Sequence, residues 1–137
     1  MTKQITIHDA LIYVMVMASA VDARMPDSEL ARIGRLTRFL PVFSGFDSDR
    51  LIGISQDCAN LLSGPEGLDI VLEIIKDALP PRLYDTAYAL AVEIAMADLN
   101  VSQEEIRLLQ LLRDRFGLDK LTCAALERGA IARFRLA

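Results

Sequence analysis

Asp22-Ala-Arg-Met-Pro-Asp-Ser-Glu29-Leu30 and Asp98-Leu-Asn-Val-Ser-Gln-Glu-Glu105-Ile106 share one frame, 76 positions apart. In each, an Asp is followed seven residues later by a Glu and then by an aliphatic side chain. Each copy follows a strongly apolar, helix-like run and opens a second one. The frame extends outward in both directions. Asp9 and Asp85 share the offset, and Leu30, Ile33, Leu36 and Leu40 correspond to Ile106, Leu109, Leu112 and Phe116. A repeated helix–acidic turn–helix unit predicts two helix hairpins, over 9–40 and 85–116, related by a pseudo-twofold axis.

The remainder of the chain fits an all-α bundle of about seven helices in a single domain, 1–137. The first helix is expected from about Asp9 to Val21. The second runs from near Asp27 to Leu40, where Pro41 stops it. Pro41 to Phe46 reads as a loop. The third helix runs from near Ser48 to Leu62. Pro65 is placed for the first turn of a fourth, ending near Ala78. Pro80-Pro81 separates it from a fifth, about Leu83 to Ala97. Ser102 caps the sixth, with Glu105 at capping-box spacing, and Gly117 ends it. The seventh covers about Asp119 to Phe134.

The first and fifth helices are apolar nearly all round, which marks buried helices. Both carry small residues: Ala18, Ser19 and Ala20 in one, and Ala87, Ala89, Ala91, Ala95 and Ala97 in the other. They are expected to touch near the pseudo-twofold axis.

Composition agrees with a helical core. At 137 residues the chain can bury one without metal or disulfide staples. Its apolar fraction of 53% argues against disorder. A net charge of −4 leaves no electrostatic footprint for nucleic acid. Cys58 and Cys123 stand apart in apolar surroundings and read as buried, reduced thiols. With His8 the only histidine, a zinc site cannot be assembled from this chain. The longest uncharged run, Ala10 to Val21, is shorter than the about 20 residues of a membrane span. His8 and Asp9 interrupt the opening stretch, so no signal peptide is read there, and the expected location is cytoplasmic.

Two readings of the acidic turns stand side by side. Asp22 and Asp98 fall at helix ends, against the helix dipole. In the structural reading each Asp accepts backbone N–H groups of the following turn, while Glu29 and Glu105 sit favourably in first turns. In the other reading Asp22, Glu29, Asp98 and Glu105 bind a hard cation, Ca²⁺ or Mg²⁺. One Asp and one Glu per turn suffice only for a weak, hydrated site, and only if the turns meet. Arg24 and the lack of alternating oxygen ligands exclude an EF-hand.

Glu93, among apolar neighbours, is a buried-carboxylate candidate. It is either bonded to an arginine or hydroxyl, or takes a ligand or proton-handling role. No nucleotide, metalloprotease or serine-hydrolase motif occurs, and no enzyme is expected. Arg128, Arg133, Phe134 and Arg135 make a basic end that complements a helix dipole or docks on a partner or anionic lipid.

The small and apolar run closing in Asp22, with Met25-Pro26-Asp27-Ser28-Glu29-Leu30, resembles the first signature of the tellurite-resistance TerB-like family. Ala95-Met96-Ala97-Asp98 through Ile106 is similar to the second and is the closer match. The likeness covers about residues 8 to 120. Ala23 and Leu99 stand where the family's turns often carry Gly. The resemblance implies an all-helical fold of two related halves, with no defined catalytic activity. It implies a stress-response role linked to tellurium oxyanions, with protein partners that are often membrane-associated. It also implies cation binding through Asp22, Glu29, Asp98 and Glu105. The alternative is a scaffold module without metal, whose acidic residues anchor turns.

Overall fold

A computed structural model of the chain describes residues 4–19, 27–97 and 101–137. Among these are seven α-helices and no strand. They are α1 (Ile7–Ser19), α2 (Asp27–Phe39), α3 (Leu51–Leu62), α4 (Gly67–Ala78), α5 (Tyr84–Met96), α6 (Gln103–Phe116) and α7 (Lys120–Arg133). Single 3₁₀ turns at Pro41–Phe43, Ser48–Arg50 and Pro81–Leu83 lead out of α2 and into α3 and α5. Proline heads the first and last of these, where its missing N–H costs nothing.

α1 and α5 form the centre and pack on each other more extensively than any other pair. In α1, every residue from Asp9 to Ala18 is buried. α5 buries Ala87, Tyr88, Leu90, Ala91, Val92, Ile94 and Ala95. α3 and α4 cover α1, and α6 and α7 cover α5. Both central helices are buried along most of their length, so neither needs a broad polar face.

The other helices are fixed by local chemistry. Ser102 Oγ accepts the Glu105 N–H at 3.1 Å, and Glu105 Oε1 accepts the Ser102 N–H at 3.2 Å. This is the expected capping box at the start of α6. Gly117 closes α6 in the left-handed region, at φ 62°. Asp119 caps α7, accepting from the Thr122 N–H at 2.7 Å and the Thr122 hydroxyl at 2.9 Å. The backbone bond first, then the hydroxyl, holds its carboxyl below the usual range.

The start of α4 differs from expectation. Pro65 does not sit in its first turn. The helix begins at Gly67, after Glu66 in the left-handed conformation. A Cβ at Gly67 would stand 2.4 Å from the Leu61 carbonyl oxygen and 2.5 Å from that of Leu62. The reversal from α3 into α4 therefore brings backbone against backbone at a residue without a side chain.

The element limits follow the repeat: α1 and α5 are counterparts, as are α2 and α6. The buried faces do not follow it. α2 buries Ile33, Gly34 and Thr37, whereas α6 buries Leu108, Leu112 and Phe116. Counterparts Ile33 and Leu109 thus differ in burial, as do Leu36 and Leu112. α2 rests on the two 3₁₀ turns after it, and α6 rests on α4. Gly34 faces Leu51, whose Cδ2 lies at contact distance, 3.4 Å, from where a Cβ would stand. Asp9 and Asp85 also part company. Asp9 is buried and paired with Arg50 at 3.2 Å, while Asp85 is exposed.

Candidate functional site

Of the four residues expected to hold a cation, Asp22 and Asp98 lie outside the described residues. Glu29 is half-buried in the first turn of α2. Glu105 is in the first turn of α6, and one of its carboxylate oxygens serves the capping box. α2 and α6 are not among the extensively packed helix pairs of the described residues. Among those residues, no three His, Cys, Asp or Glu side chains stand together as a metal-ligand group.

Glu93 lies on α5 and its side chain is partly exposed, with Oε1 accepting from Arg133 Nη2 near the end of α7. The arginine-bonded reading of this carboxylate is the one the geometry carries. Glu93 also lines a small cavity of ≈ 220 Å³, with Arg32, Arg35 and Leu36 of α2, Ala97 and Phe134. Among the described residues, Glu93 is the carboxylate on that wall.

A feature that sequence reasoning missed joins α5, α6 and α7. The ring of Tyr88 is fully buried, and its hydroxyl donates to Glu127 Oε2 at 2.5 Å. Arg113 Nη1 approaches the same oxygen at 3.4 Å. Burial foremost, and then the Glu127 carboxylate, push the Tyr88 phenol well up. Glu127, Arg113, Lys120 and Cys123 line an adjacent cavity of ≈ 510 Å³. Burial raises the Cys123 thiol as well, which keeps it protonated and unreactive. Tyr88 and Glu127 are 39 residues apart and share no local motif. The only sequence signal is a carboxylate and a phenol on helices that must both face the core.

His8 faces a different neighbourhood. Its Nε2 donates to the Val42 carbonyl at 2.9 Å, and its ring packs tilted against Phe43 and edge-on against Phe46, with centroids 5.6 Å from each. These contacts tie the start of α1 to the segment after α2. Both cysteines are buried, as expected, and no disulfide joins them.

A largely apolar opening runs between the ends of α1 and α3, the start of α4, and α6. Met17, Leu62, Leu68, Leu108 and Leu111 form its wall, with Glu104 and Arg107 beside them, around a volume of ≈ 320 Å³. Leu68 is 39% exposed, and Ile106 on the same helix as Leu108 is 47% exposed. No helix among the described residues is long and apolar enough to cross a membrane.

No protein-family model, curated protein or solved structure matches this chain.

Proposed function

We propose that this chain is a non-enzymatic binding module of the TerB-like kind, a cytoplasmic stress-response domain related to tellurite resistance that docks a protein partner. The observation that carries the reading is the open apolar groove of Met17, Leu62, Leu68, Leu108 and Leu111. Its walls are helices, and Leu108 and Leu111 stand one turn apart on α6. Such a groove accepts an amphipathic helix through anchors three and four residues apart. Glu104 and Arg107 offer charges of both signs at the rim, which set orientation and register.

In this reading the turns carrying Asp22, Glu29, Asp98 and Glu105 hold a hydrated Ca²⁺ or Mg²⁺ ion. A second reading, a scaffold without metal, is favoured at one position: Glu105 already serves the Ser102 N–H. Calorimetric titration with Ca²⁺ and Mg²⁺ separates the two. Saturable heat that Asp98→Asn weakens, with the fold intact, supports the cation. No heat from the wild type, together with unfolding of Asp98→Asn, assigns the acidic residues to turn anchoring.

Partner docking is tested with a photo-crosslinking residue at Leu68 or Leu111, and at exposed Ile52 as a control, in stressed and unstressed cells. One identified protein joined from both groove positions and not from Ile52 is the expected result. Equal crosslinking from all three positions removes the groove from the reading.

A further inference from the structure

The small cavity beside Glu93 carries two arginines on its wall. Arg32 and Arg35, three residues apart on one face of α2, stand on its wall. Among the described residues, the carboxylate on that wall is Glu93, and Arg133 engages it. With the Glu93–Arg133 pair neutral, Arg32 and Arg35 leave a local charge of +2 among the described residues, on a chain whose net charge is −4. Among the described residues, no salt bridge engages Arg32 or Arg35.

We propose that this cavity, between α2 and the ends of α5 and α7, binds the phosphate group of a phosphate monoester. A phosphate monoester carries about −1.5 to −2 charge near neutral pH. That matches the surplus, where a carboxylate would leave half of it unanswered. Guanidinium forks engage phosphate oxygens in bidentate geometry, and Arg32 and Arg35 present two of them from one helical turn. Glu93 neutralises Arg133, so the surplus rests on Arg32 and Arg35. Phe134 and Leu36 supply an apolar wall for the ester's organic portion. At ≈ 220 Å³ the cavity is smaller than the roughly 300–1,000 Å³ of drug-sized ligand sites. It suits a phosphate with a short or ring-sized substituent. The inference is independent of the apolar groove and of any cation site.

The test is titration of the full chain with phenyl phosphate and with inorganic phosphate, followed by calorimetry and phosphorus NMR at fixed ionic strength. Saturable binding of one phenyl phosphate per chain, tighter than inorganic phosphate, is expected. Arg32→Gln/Arg35→Gln should weaken it at least tenfold, while Arg107→Gln, on the other groove, leaves it unchanged. Phe134→Ala should erase the preference for phenyl phosphate. Glu93→Gln removes a negative charge from the wall and should tighten binding, an outcome that mere loss of structure does not produce. A second arm uses phosphatidylcholine vesicles with and without phosphatidic acid. Sedimentation only with phosphatidic acid, reversed by phenyl phosphate, identifies a lipid headgroup as the source. Binding of phenyl phosphate without vesicle binding identifies a soluble ester. No saturable binding in either arm overturns the proposal. So does equal weakening by Arg107→Gln and the Arg32/Arg35 double variant, or weakening by Glu93→Gln.

Discussion

The Tyr88 hydroxyl, on a fully buried ring, donates to Glu127, and that carboxylate also meets Arg113. The pair gives the fold a pH dependence whose sign can be worked out. Burial and the carboxylate raise the phenol above its unfolded value, which is near pH 10. Below that pH both states keep the proton, and the contribution to stability is complete. Above it the unfolded chain loses the proton first, so stability falls as pH climbs toward the folded value. Tyr88→Phe should destabilise the neutral protein by on the order of 1–2 kcal/mol through the lost charge-assisted bond. It should also show a shallower loss of denaturation midpoint in the alkaline range than the wild type. Identical alkaline slopes for the two proteins would place the proton linkage elsewhere. At this scale the sequence was legible where a residue's oddity was local. Glu93 stood out among apolar neighbours, and an arginine was one of its two foreseen partners. Tyr88 and Glu127 did not stand out, because each is unremarkable until α5 and α7 are packed together.

Helix ends show the same division between local and non-local causes. Ser102 and Glu105 are three residues apart, and their reciprocal bonds need nothing from the remainder of the fold. The cap could be read from the sequence. Ser102→Ala should cost about 0.5–2 kcal/mol, visible as a lower thermal midpoint with unchanged helical circular dichroism. A midpoint equal to the wild type would mean that the α6 start is held by tertiary contacts instead. The start of α4 could not be read in that way. Pro65 carries a helix-start preference, but the Leu61 and Leu62 carbonyls decide where the chain can turn. Gly67→Ala should shift backbone and destabilise by about 1–3 kcal/mol. Gly53→Ala, on α3 with open space around it, should not. If both substitutions are equally mild, the close approach does not constrain the turn. The repeat is legible at this scale only in part. It sets which elements correspond and where they begin. It does not set which face of α2 or α6 is buried, because Gly34 meets Leu51 on one side and α4 covers the other.

For the whole molecule, all-round apolarity was the informative signal. A helix with no polar face has to be surrounded, and two such helices in one small domain have to be neighbours. α1 and α5 meet that expectation, with Ala18, Ala91 and Ala95 each almost without exposure. The acidic turns were harder to read. Their cation role depends on where two carboxylates end up relative to one another, which is a property of the assembled fold and not of either turn. The central pair also yields the sharpest test of the architecture. Ala91 is fully buried in the helix that α1, α6 and α7 all pack against. Three added carbons there have no cavity to enter, so Ala91→Leu should overpack the centre and cost on the order of 1–3 kcal/mol. Ala124→Leu, on the exposed side of α7, makes the same chemical change without that crowding and should cost far less. Urea denaturation of the two variants decides the matter. A midpoint for Ala91→Leu equal to that of Ala124→Leu would mean that the α1–α5 contact is loose enough to absorb a leucine, and the close-packed centre described above would have to be abandoned.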